Sequence, residues 1–314
     1  MHRRAGSFLR VEIDFATTHK DCAAVFSSFA YNLNSQYSLG TTMQRPSDAV
    51  AAQQALEQGN LAFRHWIANA YTGNESTDEV DFAQRRAALE TLFPPGKVPK
   101  QTPFAAVFGC SDARVPVRQL FGQSANDIFE VRTAGQTMGD ECLGSVEYAL
   151  SHMPTIKTVV VLGHGSCGAV TASVDSYLSN WGLNLGLASV GLRSILQRIN
   201  PAVVLAAHSI QASTIGVDFR RETDRKRLID VATTLNAAAS AHQLKLLADS
   251  VDRTDVSVLY GVYDIATHAV VRPPLRAVDG DAWEDGLAQA PEEDDLLESL
   301  AAISVTAADR QPLG

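Results

Sequence analysis

The stretch TVVVLGHGSCGAVTAS, Thr158 to Ser173, carries the central ambiguity of this sequence. An apolar, β-branched run ends in Gly163, and Gly165 and Gly168 follow, so the glycines spell G-x-G-x-x-G between an expected strand and an expected helix. Taken alone, that spacing describes the turn that cradles a dinucleotide. His164 and Cys167 sit inside it, however, and a phosphate cradle works through backbone N–H groups and needs neither side chain. The context fails as well. A dinucleotide fold wants a second strand ending in an acidic residue about 20 positions on, whereas Gly168 leads into SYLSNWGLNLGLASV. No Gly-Lys-Ser/Thr follows to make a P-loop. Cys167 as a nucleophile with His164 as its base is an open alternative, but it gives no role to a second segment upstream.

That segment is FGCSDARVP, where Cys110, Asp112 and Arg114 follow directly on another β-rich run. Two thiolates and an imidazole (Cys110, His164, Cys167) make a three-ligand zinc set with the fourth tetrahedral position open for water, the pattern of catalytic rather than structural zinc. The i, i+3 spacing of His164 and Cys167 suits a turn that folds both onto one ion. Asp112 and Arg114, two residues apart, share one side of an extended loop. The carboxylate is then in reach of metal-bound water, and the guanidinium can clamp it bidentately and keep it ionised. Read singly, each residue has a plainer use: a buried small thiol, a loop histidine, a surface ion pair worth little. Their joint occurrence at two strand ends favours the metal.

Composition sets the frame. The chain has 314 residues, 46% of them apolar, and a formal net charge of -9. A general nucleic-acid binder needs a basic face, so that class is disfavoured. Four cysteines (Cys22, Cys110, Cys142 and Cys167) are too few for a disulfide framework. Reduced thiols are expected, with Cys142 a buried small residue, and with them a cytoplasmic protein. Charged residues interrupt the N-terminal region, so no export signal is expected. No run approaches the roughly 18 apolar residues of a membrane span.

Three divisions are expected: a peripheral extension over 1–45, a zinc domain over 46–272, and an acidic tail over 273–314 that solvates or docks as a short helix. Ser47 and Asp48 are candidate caps for a first helix with Ala51, Leu56, Leu61, Phe63 and Ile67 on its apolar face. A second helix is expected over Val80 to Leu92, ending before Pro94. From Phe104 onward, the short apolar runs FAAVFG, DIFEVR and TVVVLG alternate with helical sequence. This predicts an α/β fold whose mostly parallel central sheet is flanked by helices, with the site beyond the carboxyl ends of the strands. Helices are expected over Leu185 to Ile199, Val203 to Ser213 and Glu222 to Asp249. In the last of these, Leu228, Val231, Leu235, Ala239 and Leu246 form a core stripe. DVSVLYGVYDIATHAVV reads as a strand, a turn and a return strand.

With these residues in hand, the sequence resembles the β-class carbonic anhydrases. Their hallmark is C-x-D-x-R followed some fifty residues on by H-x-x-C, here Cys110-Ser111-Asp112-Ala113-Arg114 and His164-Gly165-Ser166-Cys167. LEQGNLAF resembles the N-terminal helical arm of the family, DIFEVRTAGQ its strand and Arg-x-Ala-Gly loop, LGSVEYAL the helix after it, and GVYDIATHAVV the closing hairpin. The resemblance implies a zinc lyase that reversibly hydrates carbon dioxide to bicarbonate and a proton by zinc-bound hydroxide. Zinc would be held by Cys110, His164 and Cys167, with Asp112 and Arg114 as the dyad. It further implies a homodimer or higher homo-oligomer in which Gln101 contacts substrate across the interface and Tyr148 lines the pocket. The family has both an open site and one closed by the dyad aspartate. Gln136 stands where asparagine is common, and His268 where glycine is. A zinc-bearing relative that senses bicarbonate or takes another small substrate is the alternative reading.

Overall fold

The computed structural model describes residues 45–72, 96–179, 188–272 and 284–292. The chain divides between Arg45 and Pro46, and the unit from Pro46 onward holds every element named below. The helix expected over Val80 to Leu92, Cys22, and most of the acidic tail lie outside the described residues.

Helix α1 spans Ala49–Thr72. Asp48 caps it, with its Oδ1 accepting from Ala51 N at 2.9 Å. Its buried stripe is Ala52, Leu56 and Asn60, spaced by four as a helix face requires. Leu61, expected in that stripe, is exposed instead, because the stripe runs through Asn60. Asn60 is buried for its hydrogen bonds. Its Nδ2 donates to Leu120 O at 3.2 Å and to His268 O at 3.1 Å, and its Oδ1 accepts from Val270 N at 2.9 Å. One side chain thus ties three segments together. Gly59 beside it lets the helix touch the Phe121 carbonyl. A Cβ at Gly59 would lie 1.7 Å from that oxygen.

The sheet is built from β1 (Ala105–Cys110), β2 (Ile128–Thr133), β3 (Thr158–His164), β4 (Ser257–Tyr263), β5 (Val270–Arg272), β6 (Glu284–Asp285) and β7 (Ala288–Gln289). Its order is β2-β1-β3-β4-β5-β6, with β7 also on β4. The pairs β1–β2, β1–β3 and β3–β4 are parallel. The hairpin β4–β5 is antiparallel, as are the pairings of β6 with β5 and β7 with β4. β1 and β3 are buried along their whole length, which accounts for their unbroken apolar sequences. Alternation still sorts their side chains. Ala106, Phe108, Val159 and Val161 join one apolar cluster, whereas Ala105, Val107, Val160 and Leu162 join another.

Among the described residues, five further helices follow: α2 (Val117–Leu120), α3 (Asp140–His152), α4 (Gly168–Leu178), α5 (Val190–Ser213) and α6 (Glu222–Ser250). Residues of α1 and α2 fill one cluster, and those of α3 to α6 the other. The mostly parallel sheet with helices on both faces is the expected architecture. Some details differ from the expectations. The two helices expected on either side of Pro201 are a single helix, α5, with Pro201 inside it. Proline removes one N–H and crowds the preceding turn, but Ile199, Ala202, Val203 and Ala206 are buried on both sides of it and hold the helix through that defect. In α6, Leu228, Val231 and Leu235 are buried as expected, but Leu246 is exposed. Residues 284–292, expected within the acidic tail, add β6 and β7 to the sheet, with Leu287 and Ala288 buried.

Candidate metal centre

β1 ends in Cys110 and its neighbour β3 ends in His164. The chain leaves β3 through Gly165, whose N–H donates to Tyr263 O at 2.9 Å. It turns at Ser166, in the left-handed region at φ 52, and reaches Cys167, the residue before the first turn of α4. This short excursion brings Cys167 back over the strand ends. The ligand atoms of Cys110, His164 and Cys167 all lie within 4.8 Å of one another. Metal–sulfur and metal–nitrogen bonds of about 2.0–2.3 Å let one ion touch all three. The three residues are at most 5% exposed.

The histidine shows most directly that these residues fit a metal. His164 Nδ1 lies 2.9 Å from Gly165 O. A carbonyl only accepts, so Nδ1 carries the proton and Nε2 presents a lone pair. That Nε2 is fully buried and, among the described residues, has no hydrogen-bond partner. An orphaned buried acceptor is costly, and a cation between it and the two sulfurs removes the cost.

The sulfurs point the same way. Cys110 is held low, first by a hydrogen bond from the Cys167 thiol and then by the Asp112 and Gly135 peptides, against the opposing effect of burial. Cys167 is pushed up, first by that same contact with Cys110 and then by burial and the Cys110 charge. The two shifts belong to one pair sharing a proton: the first leaves readily and the second resists. A divalent cation held there would take that proton's place and make both sulfurs thiolates. Peptide groups Ala169 and Val170 at the start of α4 also favour charge on Cys167.

Asp112 and Arg114 form an ion pair. Arg114 Nε and Nη2 donate to the two carboxylate oxygens at 3.0 and 2.7 Å, and Arg114 N donates to Oδ1 at 2.8 Å. The guanidinium, first among several causes, holds the Asp112 carboxyl down at about 2. Asp112 Oδ2 stands 3.9 Å from His164 Nε2, beside the ligand set, with both oxygens engaged by Arg114. Arg114 also reaches Ser166 O at 3.3 Å, linking the two motif loops.

The other two expected residues lie elsewhere in the chain. Gln101 precedes β1. Its neighbours Lys100 O and Thr102 N bond the Asn126 side chain just before β2, so it sits at the amino end of the sheet. The ligands lie at the carboxyl end, about 20 Å away along β1. Tyr148 is 53% exposed on α3 and stacks on His152 at 4.5 Å.

Three residues without an assigned role in the sequence reading also shape the site. Arg132 donates to Cys110 O at 2.8 Å and to Asp112 O at 2.6 Å. Gly135 N donates to Cys110 Sγ at 3.2 Å. Asn236 Nδ2, from α6, donates to Gly135 O at 3.0 Å. The one sequence signal for Asn236 is an amide on an otherwise small and apolar helical run. Gly163 has a role distinct from a strand exit. It lies within β3, where a Cβ would come 3.2 Å from Thr233 Cγ2 of α6, so it lets that helix approach. Gly168 opens α4, and a Cβ there would meet nothing within 4 Å.

Comparison with known proteins bears on this arrangement. Residues 105–270 match a family model described as "Carbonic anhydrase". A carbonic anhydrase of Mycolicibacterium smegmatis is 36% identical over 160 residues, which cover 51% of this chain and 66% of that protein. Carbonic anhydrase 2 of Mycobacterium tuberculosis is 32% identical over 196 residues, which cover 62% of this chain and 81% of its own. Among solved structures, the β-carbonic anhydrase CafA of Aspergillus fumigatus is 20% identical with a TM-score of 0.47, covering 74% of this chain and 96% of its own. A tetrameric β-carbonic anhydrase of Sordaria macrospora is 22% identical with a TM-score of 0.46, covering 66% and 95%. Among the described residues, no helix is long and apolar enough to cross a membrane.

Proposed function

The chain belongs to the β-class carbonic anhydrase family, and from that premise we propose that it interconverts carbon dioxide and bicarbonate with a zinc ion held by Cys110, His164 and Cys167. The observation that carries this reading is the buried Nε2 of His164, without a hydrogen-bond partner among the described residues, beside two sulfurs and an arginine-held carboxylate. When bound, the ion supplies Lewis acidity and makes water a nucleophile at neutral pH.

The chain's own groups do the rest. Two thiolates bring as much negative charge as a zinc ion is positive, so water is acidified less than among three neutral imidazoles. Asp112 offsets this. Arg114 keeps it ionised and oriented, and its oxygens accept the hydrogen bond of water aligned for attack on the carbon of carbon dioxide. Bicarbonate then leaves, and one proton passes to buffer.

Gln101 and Tyr148 enter the proposal as residues of an oligomer. Gln101 is at the wrong end of its own sheet to reach its own metal ligands, so a substrate contact from it would be made in a second copy, across a dimer or larger homo-oligomer. Tyr148, exposed on α3, would line the pocket at that same boundary. The cytoplasm suits a site built on two free thiols.

The test is stopped-flow carbon dioxide hydration, with metal content measured on the same sample. The expected result is hydration in proportion to bound zinc, with Cys167→Ser losing zinc and activity together. Full activity in zinc-free Cys167→Ser protein would overturn the assignment.

A further inference from the structure

Asn236 reaches the surroundings of the metal ligands from far along the sequence. It lies on α6, 101 positions after Gly135, and its side-chain Nδ2 donates to Gly135 O at 3.0 Å. Gly135 in turn donates its N–H to Cys110 Sγ at 3.2 Å. Gly135 is therefore held at both ends, by a helix on one side and by a ligand sulfur on the other.

This segment has reason to need a restraint. Gly135 lies in the left-handed region at φ 65, and Gln136 after it, which has a Cβ, lies there too at φ 40. Left-handed backbone is unfavourable for a residue with a Cβ. Such conformations persist where the surroundings over-determine them. The surroundings are plain here. Thr133 Oγ1 donates to Thr137 O at 2.8 Å, and Thr137 Oγ1 donates to Ala134 O at 3.1 Å, closing the turn on itself. Gly135 has no lateral room, since a Cβ would come 2.8 Å from Ile199 Cδ1 and 2.9 Å from Ala169 Cβ. The carbonyl of the Gly135–Gln136 peptide, next to the strained residue, is the group that Asn236 holds.

We propose that Asn236 is a positioning residue of the metal centre: by anchoring the Gly135 carbonyl it keeps the Gly135 N–H aimed at Cys110 Sγ, and so sets how that sulfur faces the ion. The inference rests on the proposed zinc site. Removing the amide releases the strained peptide, the turn relaxes, and Cys110 loses its hydrogen-bond donor. Outer-shell partners of metal ligands commonly contribute 10–100-fold to metal affinity.

Asn236→Asp keeps the volume and removes the donor, and Asn236→Ala removes the donor without burying a charge. Ser240→Ala, one turn further along the same helix, is the packing control. Each full-length protein is loaded with zinc and titrated with a chromogenic chelator. Each is also loaded with cobalt(II), and the thiolate-to-metal charge-transfer absorption is recorded. The expected result is zinc retention weakened about tenfold or more in both Asn236 variants, with a displaced cobalt band, and neither change in Ser240→Ala. Asn236 variants that melt at a lower temperature yet keep zinc and the wild-type cobalt band would show a packing role alone and overturn the proposal. Failure of the wild-type protein to bind zinc or cobalt would instead overturn the site assignment beneath it, so the two failures are distinguishable.

Discussion

Gly59→Ala should destabilise the protein although alanine is the better helix former. Two terms oppose each other. Replacing glycine inside a helix gains about 1 kcal/mol of propensity. Against that, the new Cβ would lie 1.7 Å from Phe121 O and 2.4 Å from Phe121 C. Both are backbone atoms, so no rotamer change relieves the overlap. Helix α1 must retreat by roughly 1.5–2 Å to regain ordinary contact. The bonds of Asn60 to Leu120 O, His268 O and Val270 N, now 3.2, 3.1 and 2.9 Å, then pass beyond hydrogen-bonding range. Each is worth about 1 kcal/mol net, and more if a buried group stays unpaired. Looser packing of Leu56 and Ala52 adds to the loss. The balance is about 2–4 kcal/mol of destabilisation, or a urea midpoint lower by about 1 M in the zinc-loaded protein. Urea unfolding followed by circular dichroism reads it. Gly144→Ala is the control, because a Cβ at that helical position meets nothing within 4 Å and should stabilise slightly. A Gly59→Ala protein at least as stable as wild type would refute the steric reasoning.

Three further outcomes follow from the site and the hairpin. Arg114→Ala frees Asp112, whose Oδ2 is already 3.9 Å from His164 Nε2, to turn into the fourth metal position; hydration should fall at least about tenfold, with Arg114→Lys in between because it restores charge without the fork, whereas a pH profile identical to wild type would count against this. The Asp112 carboxyl is held at about 2, below its ordinary value of about 3.9. Its contribution to stability is therefore full above pH about 4 and lost as pH falls through about 2, and the stability gap between wild type and Asp112→Asn, measured by denaturation at several pH values, should shrink over that interval. At His268, φ is 59, and the ring meets Tyr263 Oη at 3.0 Å and the edge of Phe63; thermal melts should rank wild type above His268→Gly above His268→Ala, since alanine keeps the strain and loses the contacts, and a melt of His268→Ala above that of His268→Gly would remove strain as the cause.

The parts of this molecule that depend on local pattern could be read from its sequence. Apolar runs before Gly109 and Gly163 announced buried parallel strands, and the motif residues after them fell together as a metal set because strand ends converge. What escaped was decided by tertiary contact. Pro201 looks like a boundary, but burial on both sides of it carries α5 through. Residues 284–292 show neither period 2 nor a β-branched run, and they become strands only because the edge of β4 has hydrogen bonds to offer. Leu246 fits the helical spacing, yet the covered stripe there runs through Leu244 and Ala248 and leaves it outside. Asn236 and Gly135 are separated by 101 positions, and nothing local marks either as the other's partner.

Arg132 gives the site a property that a list of its ligands does not contain. Its guanidinium spans Ser111, holding the carbonyl of Cys110 with one nitrogen and that of Asp112 with another. Cys110, a ligand in the proposed metal site, and Asp112, the acid proposed to assist it, are thereby splinted onto the edge strand as one stiff piece. Neither group has to find the other at the moment of reaction, so the reorganisation that free water dipoles would undergo has no counterpart here. The ordering is done once, when the chain folds, and does not recur with each turnover.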